Sequence, residues 1–131
     1  MDKDFQVLDL DLLRPKPEII KIAGKSVDVS FIPCGITFDV DKIISEIQQF
    51  SEEDLRNNGE KAEKAFNMTI RLCSLFCSVK YPDMSEDWFR ANTSPTQIQL
   101  FAEKIQKSLV KSYEAVEGYS KNGEPAKDQT G

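Results

Sequence analysis

The chain has 131 residues, 40% of them apolar, and a formal net charge of −5, which suits one globular domain with a modest core. Because binding to a phosphate backbone needs clustered Lys and Arg, this acidic balance argues against nucleic acid and anionic membranes as partners. The amino terminus does not resemble a secretory signal, and no run of about 20 apolar residues could span a bilayer, so we expect a cytoplasmic protein.

Residues 1–17 predict an extended N-terminal arm. Leu and Asp alternate from Leu8 to Leu12 as in an edge strand, and Pro15 and Pro17 end the pattern. Exposed apolar residues in such an arm would favour non-specific association, so either the arm folds back on the domain or a partner covers these residues. Both alternatives are open, and in the second the partner contacts Phe5, Leu8, Leu10 and Leu12.

Residues 18–32 predict a β-hairpin, with Gly24 in the first position of a two-residue loop and Lys25 in the second. This loop sets a register that pairs apolar residues with each other and opposite charges with each other. The apolar face should lie on the helices, because a lone hairpin is marginal in water. The predicted pairs are Ile22 with Val27, Ile20 with Val29, and Lys21 with Asp28.

Residues 39–117 predict a helical region of four to five helices. Asp39 is expected to cap the first of these helices, and Ser51 opens a short second one. The next helix, from about 60 to about 80, is apolar on nearly all sides, so the segments before and after it should pack around it.

A short helix is predicted after Ser85, and Ser94 followed by Pro95 marks the start of a long surface helix. Residues 118–131 contain no large apolar residue after Tyr119, and we predict a disordered tail there. The predicted architecture is therefore α+β and mostly α, with an N-terminal arm (1–17) and one globular domain (18–117). In that domain a β-hairpin precedes a compact helical bundle around a central apolar helix.

Trp88 and Phe89 are adjacent in the short helix. Neighbouring residues diverge by about 100° around a helix axis, so both side chains cannot easily face the same core. One interpretation places both in or at the edge of the core, and the other makes them aromatic anchors for a partner. We include both residues in the predicted partner-binding site.

The residues offer little for catalysis. Without histidine, no mechanism can use imidazole as a base, proton shuttle or metal ligand. Two acidic clusters, at 52–54 and 83–87, each fall at the start of a predicted helix, where acids favour the positive end of the dipole. We expect Cys34, Cys73 and Cys77 to be buried reduced thiols. The sequence thus predicts a protein that is not an enzyme, with no catalytic, metal or cofactor site.

The order of parts resembles a known family. The hairpin reads IIKIAGKSVDVSFIP and continues as GITFDVDKI, and a helical body ends with PDMSEDWFRANTSPTQIQLFAEKI. Over about residues 18–110 this pattern resembles the tail assembly chaperones of long-tailed bacteriophages and prophages, in which an N-terminal hairpin with Gly-Lys in its turn precedes a helical domain.

The resemblance implies a non-enzymatic role in the bacterial host cell. Family members bind the phage tape measure protein, keep its helical chain soluble and help tail-tube subunits polymerise around it. The resemblance therefore implies the tape measure protein as a partner, and the tail-tube protein as a second one, while a homo-oligomer is compatible with the sequence. The alternative is a minor tail or connector protein that stays in the finished particle.

Overall fold

A computed structural model describes the backbone of residues 6–122 and the side chains of residues 6–115. The described chain is mostly helical, with one antiparallel hairpin near its start, which confirms the predicted α+β class. The strands are β1 (Ile19–Ile22) and β2 (Lys25–Asp28). The helices are α1 (Thr37–Ile47), α2 (Glu52–Asn57), α3 (Gly59–Cys77), α4 (Glu86–Asn92) and α5 (Pro95–Asn122).

The hairpin turns at Ala23 and Gly24, whose φ angles are 48° and 84°. Positive φ at both central residues is the mark of a type I′ turn, whose twist matches the right-handed twist of the two strands. Gly24 adopts this backbone without a steric penalty, whereas Ala23 does so at some cost.

The predicted register is wrong by two residues, because the turn lies one position earlier than the predicted Gly24-Lys25 loop. A shift of two residues keeps every side chain on the same face of the sheet. Ile22 and Val27 are therefore both buried against the helices, although they do not pair. The observed pairs are Ile19 with Asp28, Ile20 with Val27, Lys21 with Ser26 and Ile22 with Lys25.

The central apolar helix is α3, and α1, α2, α4 and α5 all pack against it, as predicted. It ends at Cys77, and Val79 in the following turn is exposed. The hairpin, α1, α4 and α5 supply most of the rest of one continuous core, and Met84 joins it from the connection between α3 and α4. Its largest fully buried side chains are Phe89, Phe101, Leu72, Met84, Ile98, Ile105, Val29, Val40, Cys73 and Cys77.

Polar contacts fix the hairpin on the helices. The Ser108 hydroxyl on α5 donates a hydrogen bond to the carbonyl oxygen of Val29, and both residues are buried. The ammonium group of Lys104, one turn earlier on α5, lies 2.7 Å from the Glu18 carboxylate. On the opposite side, the Tyr81 hydroxyl donates to the Ser26 carbonyl at 3.0 Å. The hairpin is thus held between α5 and the turn that follows α3.

Side-chain caps define most helix starts. Ser51 and Asp54 form a reciprocal capping box at α2, and Ser94 and Gln97 form another at α5. The predicted Asp39 cap is wrong, because a 3-10 turn at Cys34–Ile36 leads directly into α1. Helix α1 therefore starts at Thr37, and Asp39 falls in its first turn.

Helix α5 continues to Asn122, five residues past the predicted end of the globular domain at 117. The prediction of a disordered tail is therefore wrong for residues 118–122. Extending an existing helix adds one hydrogen bond for each residue fixed, which is far less costly than starting a new helix. Residues 123–131 of the predicted tail, and residues 1–5 of the predicted arm, lie outside the described residues.

Candidate protein-binding surface

The described part of the arm contains a 3-10 turn, Leu10–Leu13, instead of the predicted edge strand. Asp9 caps this turn: its side chain accepts the N–H of Asp11 at 3.1 Å, and its carbonyl accepts the N–H of Leu12 at 3.2 Å. Asp side chains readily form such local bonds, which compete with extended structure. The prediction of a strand is wrong here because Asp9 satisfies the nearby backbone groups locally.

The apolar residues of the arm are on the surface. The exposed fractions of Leu8, Leu10 and Leu12 are 68%, 61% and 81%, and Val7 and Leu13 are also exposed. No residue of the 3-10 turn is buried. Five apolar side chains thus lie in water within a seven-residue stretch, an arrangement typical of interaction sites. The remaining predicted arm residue, Phe5, lies outside the described residues.

The arm borders a groove on the body of the protein, which we call the arm groove. Its volume is about 580 Å³, and its walls come from the arm, from the loop after β2 and from the C-terminal half of α5. The guanidinium carbon of Arg14 lies 4.5 Å from the centre of the Phe31 ring, a cation–π contact that holds the base of the arm on this loop. Representative lining residues are Leu10, Leu13, Phe31, Ser108, Lys111 and Ala115.

A second groove, the edge groove, lies between β1 and the N-terminal half of α5 and has a volume of about 390 Å³. Ile20, Ile22 and Phe101 supply apolar lining, and Leu100 is 58% exposed. Three lysines also line it, one from β1 and two from α5: Lys21, Lys104 and Lys107. Glu103 lines it as well, and Lys104 is paired with Glu18, so this surface is apolar with charged groups of both signs around it.

Trp88 and Phe89 differ in their surroundings. The Phe89 side chain is 0% exposed and lies in the core, so a partner cannot reach it in this fold, and its place in the predicted partner-binding site is wrong. Trp88 is half-buried and meets the Phe89 ring edge to face, with centroids 5.0 Å apart. Neither residue lines the arm groove or the edge groove.

The thiols lie in two environments. Burial raises the pKa of Cys77 to about 12 and that of Cys73 still further, so neither becomes a thiolate near neutral pH. Cys34 is exposed, which corrects the prediction that all three cysteines are buried. The corner between β2 and α1 places Cys34 on the surface, in the 3-10 turn that starts α1.

The acidic clusters act as helix caps and ion-pair partners. Hydrogen bonding by the Ser51 backbone N–H lowers the pKa of Asp54, and a hydrogen bond from the Lys25 ammonium group lowers that of Asp83. Within residues 6–115, no three His, Cys, Asp or Glu side chains come together as a metal site would require. None of the described helices is both long enough and apolar enough to cross a membrane.

Comparisons with protein-family models, with curated proteins and with solved structures found no match for this chain.

Neither groove was predicted from the sequence. The edge groove had a signal on α5, because Leu100, Lys104 and Lys107 follow the four- and three-residue spacing that places side chains on one helix face. That spacing does not identify which surface faces the helix. The contact between β1 and α5 depends on the packing of the whole hairpin, which no local pattern contains.

Proposed function

We propose that this protein is a tail assembly chaperone of a long-tailed bacteriophage or prophage, which binds the tape measure protein through its N-terminal arm. The observation that carries the proposal is the row of exposed apolar side chains on the arm, next to a body with a well-packed core. The order of hairpin and helical body, which resembles that family, supports this class of partner. The role is binding rather than catalysis, and it takes place in the cytoplasm of the bacterial host.

The arm and the arm groove suit one apolar stripe of a helical partner. Leu10 and Leu13 line one side of the arm groove, while Phe31 and Ala115 line it from the body. An apolar stripe laid between them would lose its contact with water, which is how a helix-in-groove interface gains affinity. In this way the protein would keep the tape measure chain soluble until tail-tube subunits polymerise around it.

Co-expression with the tape measure gene product tests the proposal. The wild-type chain should raise the soluble fraction of that product and be recovered with it in a pull-down. A triple variant, Leu8→Ser, Leu10→Ser and Leu12→Ser, should lose most of both effects. The matched control is Val79→Ser, which removes an exposed apolar side chain in the turn after α3 and should behave as wild type. Equal solubility of the tape measure product with and without this protein would reject the proposal.

An exposed apolar arm would also suit a minor tail or connector protein that stays in the finished particle. Mass spectrometry of purified particles separates the two functions. A chaperone should be absent from the particle, whereas a connector should be present in a fixed copy number.

A further inference from the structure

Strand β1 has an open edge in the described part of the chain, because β2 pairs with only one side of it. In an antiparallel hairpin with a two-residue turn, the residues that flank the turn exchange backbone hydrogen bonds, and so does every second pair after them. In β1 these are Ile22 and Ile20. The backbone N–H and C=O groups of Ile19 and Lys21 therefore point away from β2, and such an edge can accept another strand.

The edge groove runs beside this open edge. Its apolar lining includes Ile20 and Ile22, the side chains of β1 that face the helices. Ile19 and Lys21 lie on the other face of the strand, and both are exposed. A strand added here would therefore meet apolar side chains on one face and a lysine on the other. Leu100, which is also exposed, would be covered by the same strand.

The arm of this protein has the complementary pattern. In an extended conformation, Leu8, Leu10 and Leu12 would share one face, and Asp9 and Asp11 would lie on the other. The leucines match the apolar side of the edge groove. The aspartates would lie on the face of Lys21, where opposite charges attract and favour one orientation.

The arm of the same chain is poorly placed to fill its own edge groove. It enters β1 directly through Arg14-Pro15-Lys16-Pro17, and the two prolines fix φ and favour extended backbone in the residues before them. A strand that doubled back along β1 would need a reversal in this segment. The contact between Arg14 and Phe31 also holds the base of the arm near the loop after β2. The edge groove therefore suits an occupant from another molecule better than the arm of the same chain.

We propose that a second copy of this chain supplies it. Residues Leu8–Leu12 of one copy add as a strand to the open edge of β1 in the other, with their leucines in the edge groove. The 3-10 turn at Leu10–Leu13 has to open for this exchange. Opening is inexpensive, because the turn buries no residue and its hydrogen bonds are exposed to water.

This exchange does not rest on the proposed function, because it requires no tape measure protein, but both use Leu8, Leu10 and Leu12, so exchange and tape measure binding would compete for the arm. Blocking the edge groove alone separates the two proposals, because it should prevent self-association and leave tape measure binding intact. A variant with a blocked groove keeps its own arm intact and should still bind the tape measure product. Failure of self-association would therefore leave the chaperone proposal standing, and failure of tape measure binding would leave the exchange standing.

Substitution at Ile19 tests the added strand. Ile19→Pro removes an N–H that the ladder with β2 does not use, so the hairpin should stay folded while the open edge loses a donor. Ile19→Ala is the matched control, since it shortens the side chain and keeps the N–H. Sedimentation equilibrium of the full chain should show a concentration-dependent dimer for wild type and for Ile19→Ala. The Pro variant should associate at least about tenfold more weakly.

Two outcomes would overturn the proposal. One is a wild-type chain that stays monomeric at all concentrations, which would leave the edge groove to a different protein. The other is an Ile19→Pro variant that dimerises as wild type does. Circular dichroism and thermal melting of both Ile19 variants show whether the fold is retained.

Mixing two defective variants gives a second test. Leu10→Asp places a charge on the apolar face of the arm and should weaken exchange by at least about tenfold, because burying a leucine is worth about that factor. Ile19→Pro blocks the groove but keeps the arm. Each should be largely monomeric alone, and the mixture should form a heterodimer, in which the intact arm of one fills the intact groove of the other. A mixture that stays monomeric would contradict arm exchange.

Discussion

Ser108 connects the middle of α5 to the residue that follows β2. It is buried, and its hydroxyl donates to the carbonyl of Val29, which is fully buried. We predict that Ser108→Ala lowers the free energy of unfolding by about 1–3 kcal/mol, because it leaves a buried carbonyl without its donor. Urea denaturation measures this change. Ser112→Ala, one turn further along α5 at a half-buried position, is the control and should change stability much less.

Asp28 links stability to pH. Its carboxylate accepts the N–H groups of Glu18 at 3.2 Å and Ser30 at 2.9 Å. Burial raises the pKa of Asp28, but hydrogen bonds from Ser30 and Glu18 outweigh burial, and the pKa lies below its ordinary value. A carboxyl group with a lowered folded pKa stabilises the fold above its unfolded pKa, and this stability is lost as the pH falls through the folded pKa.

The Asp28→Asn variant should therefore lose less stability than wild type on acidification below about pH 4, because its amide cannot be protonated there. At neutral pH the variant should be the less stable of the two. Urea denaturation at a series of pH values measures both curves. Parallel curves for the two proteins would show that Asp28 does not contribute to the pH dependence.

Trp88 and Phe89 show where a sequence stops being informative about single residues. The helical spacing indicates that adjacent side chains diverge, but the two rings meet edge to face and differ in their burial. It does not indicate which of the two faces the core. That depends on how α4 lies against α3, where Phe89 is fully buried and Trp88 lies at the edge. The prediction of a paired aromatic anchor therefore fails at Phe89.

At the scale of the element, the hairpin turn holds Ala23 at a φ of 48°, a conformation that Asn and Gly adopt more easily. We predict that Ala23→Asn stabilises the protein by about 1 kcal/mol. Gly24→Ala should destabilise it by about 1–2 kcal/mol, through its positive φ alone, since an added Cβ meets no atom within 4 Å. Chemical denaturation of the two variants checks the opposite signs. Stabilisation by Gly24→Ala would contradict the type I′ turn.

Elements were easier to predict than their pairing. Caps at Ser51, Ser85 and Ser94 mark three helix starts, because a capping side chain acts within one turn of sequence. The hairpin register was wrong because the apolar alternation fits both registers equally, and only the turn distinguishes them. Ala23 carries no sequence signal of a left-handed backbone, whereas the Gly-Lys dipeptide is the more typical turn, so the sequence favours the wrong loop.

At the scale of the molecule, the apolar residues divide into a core and an exposed arm. We predict that replacing Leu8, Leu10 and Leu12 together with Ser changes the unfolding free energy by less than about 1 kcal/mol, because none of the three is buried. Phe89→Ala should cost about 3–5 kcal/mol, because it opens a cavity in the core. Urea denaturation at low protein concentration, which disfavours association between chains, compares them. A large loss in the leucine variant would place the arm in the folded core.

The candidate site was predicted in part. The composition of the arm leaves open whether the domain or a partner covers its leucines, and the structure places Leu8, Leu10 and Leu12 on the surface. The two grooves beside α5 could not be predicted. They arise where the hairpin and the arm meet one long helix, and that meeting depends on contacts between residues about 80 positions apart, such as Val29 with Ser108.

Because only one of the three thiols is exposed, the wild-type chain can be labelled at a single cysteine. A maleimide dye should couple at Cys34, at the surface corner before α1, and spare the two thiols sealed inside the protein. Donor- and acceptor-labelled batches could then be mixed without engineering any residue. Energy transfer between them would report the distance between the Cys34 residues of associated chains, and its rise after mixing would report the rate at which chains exchange partners.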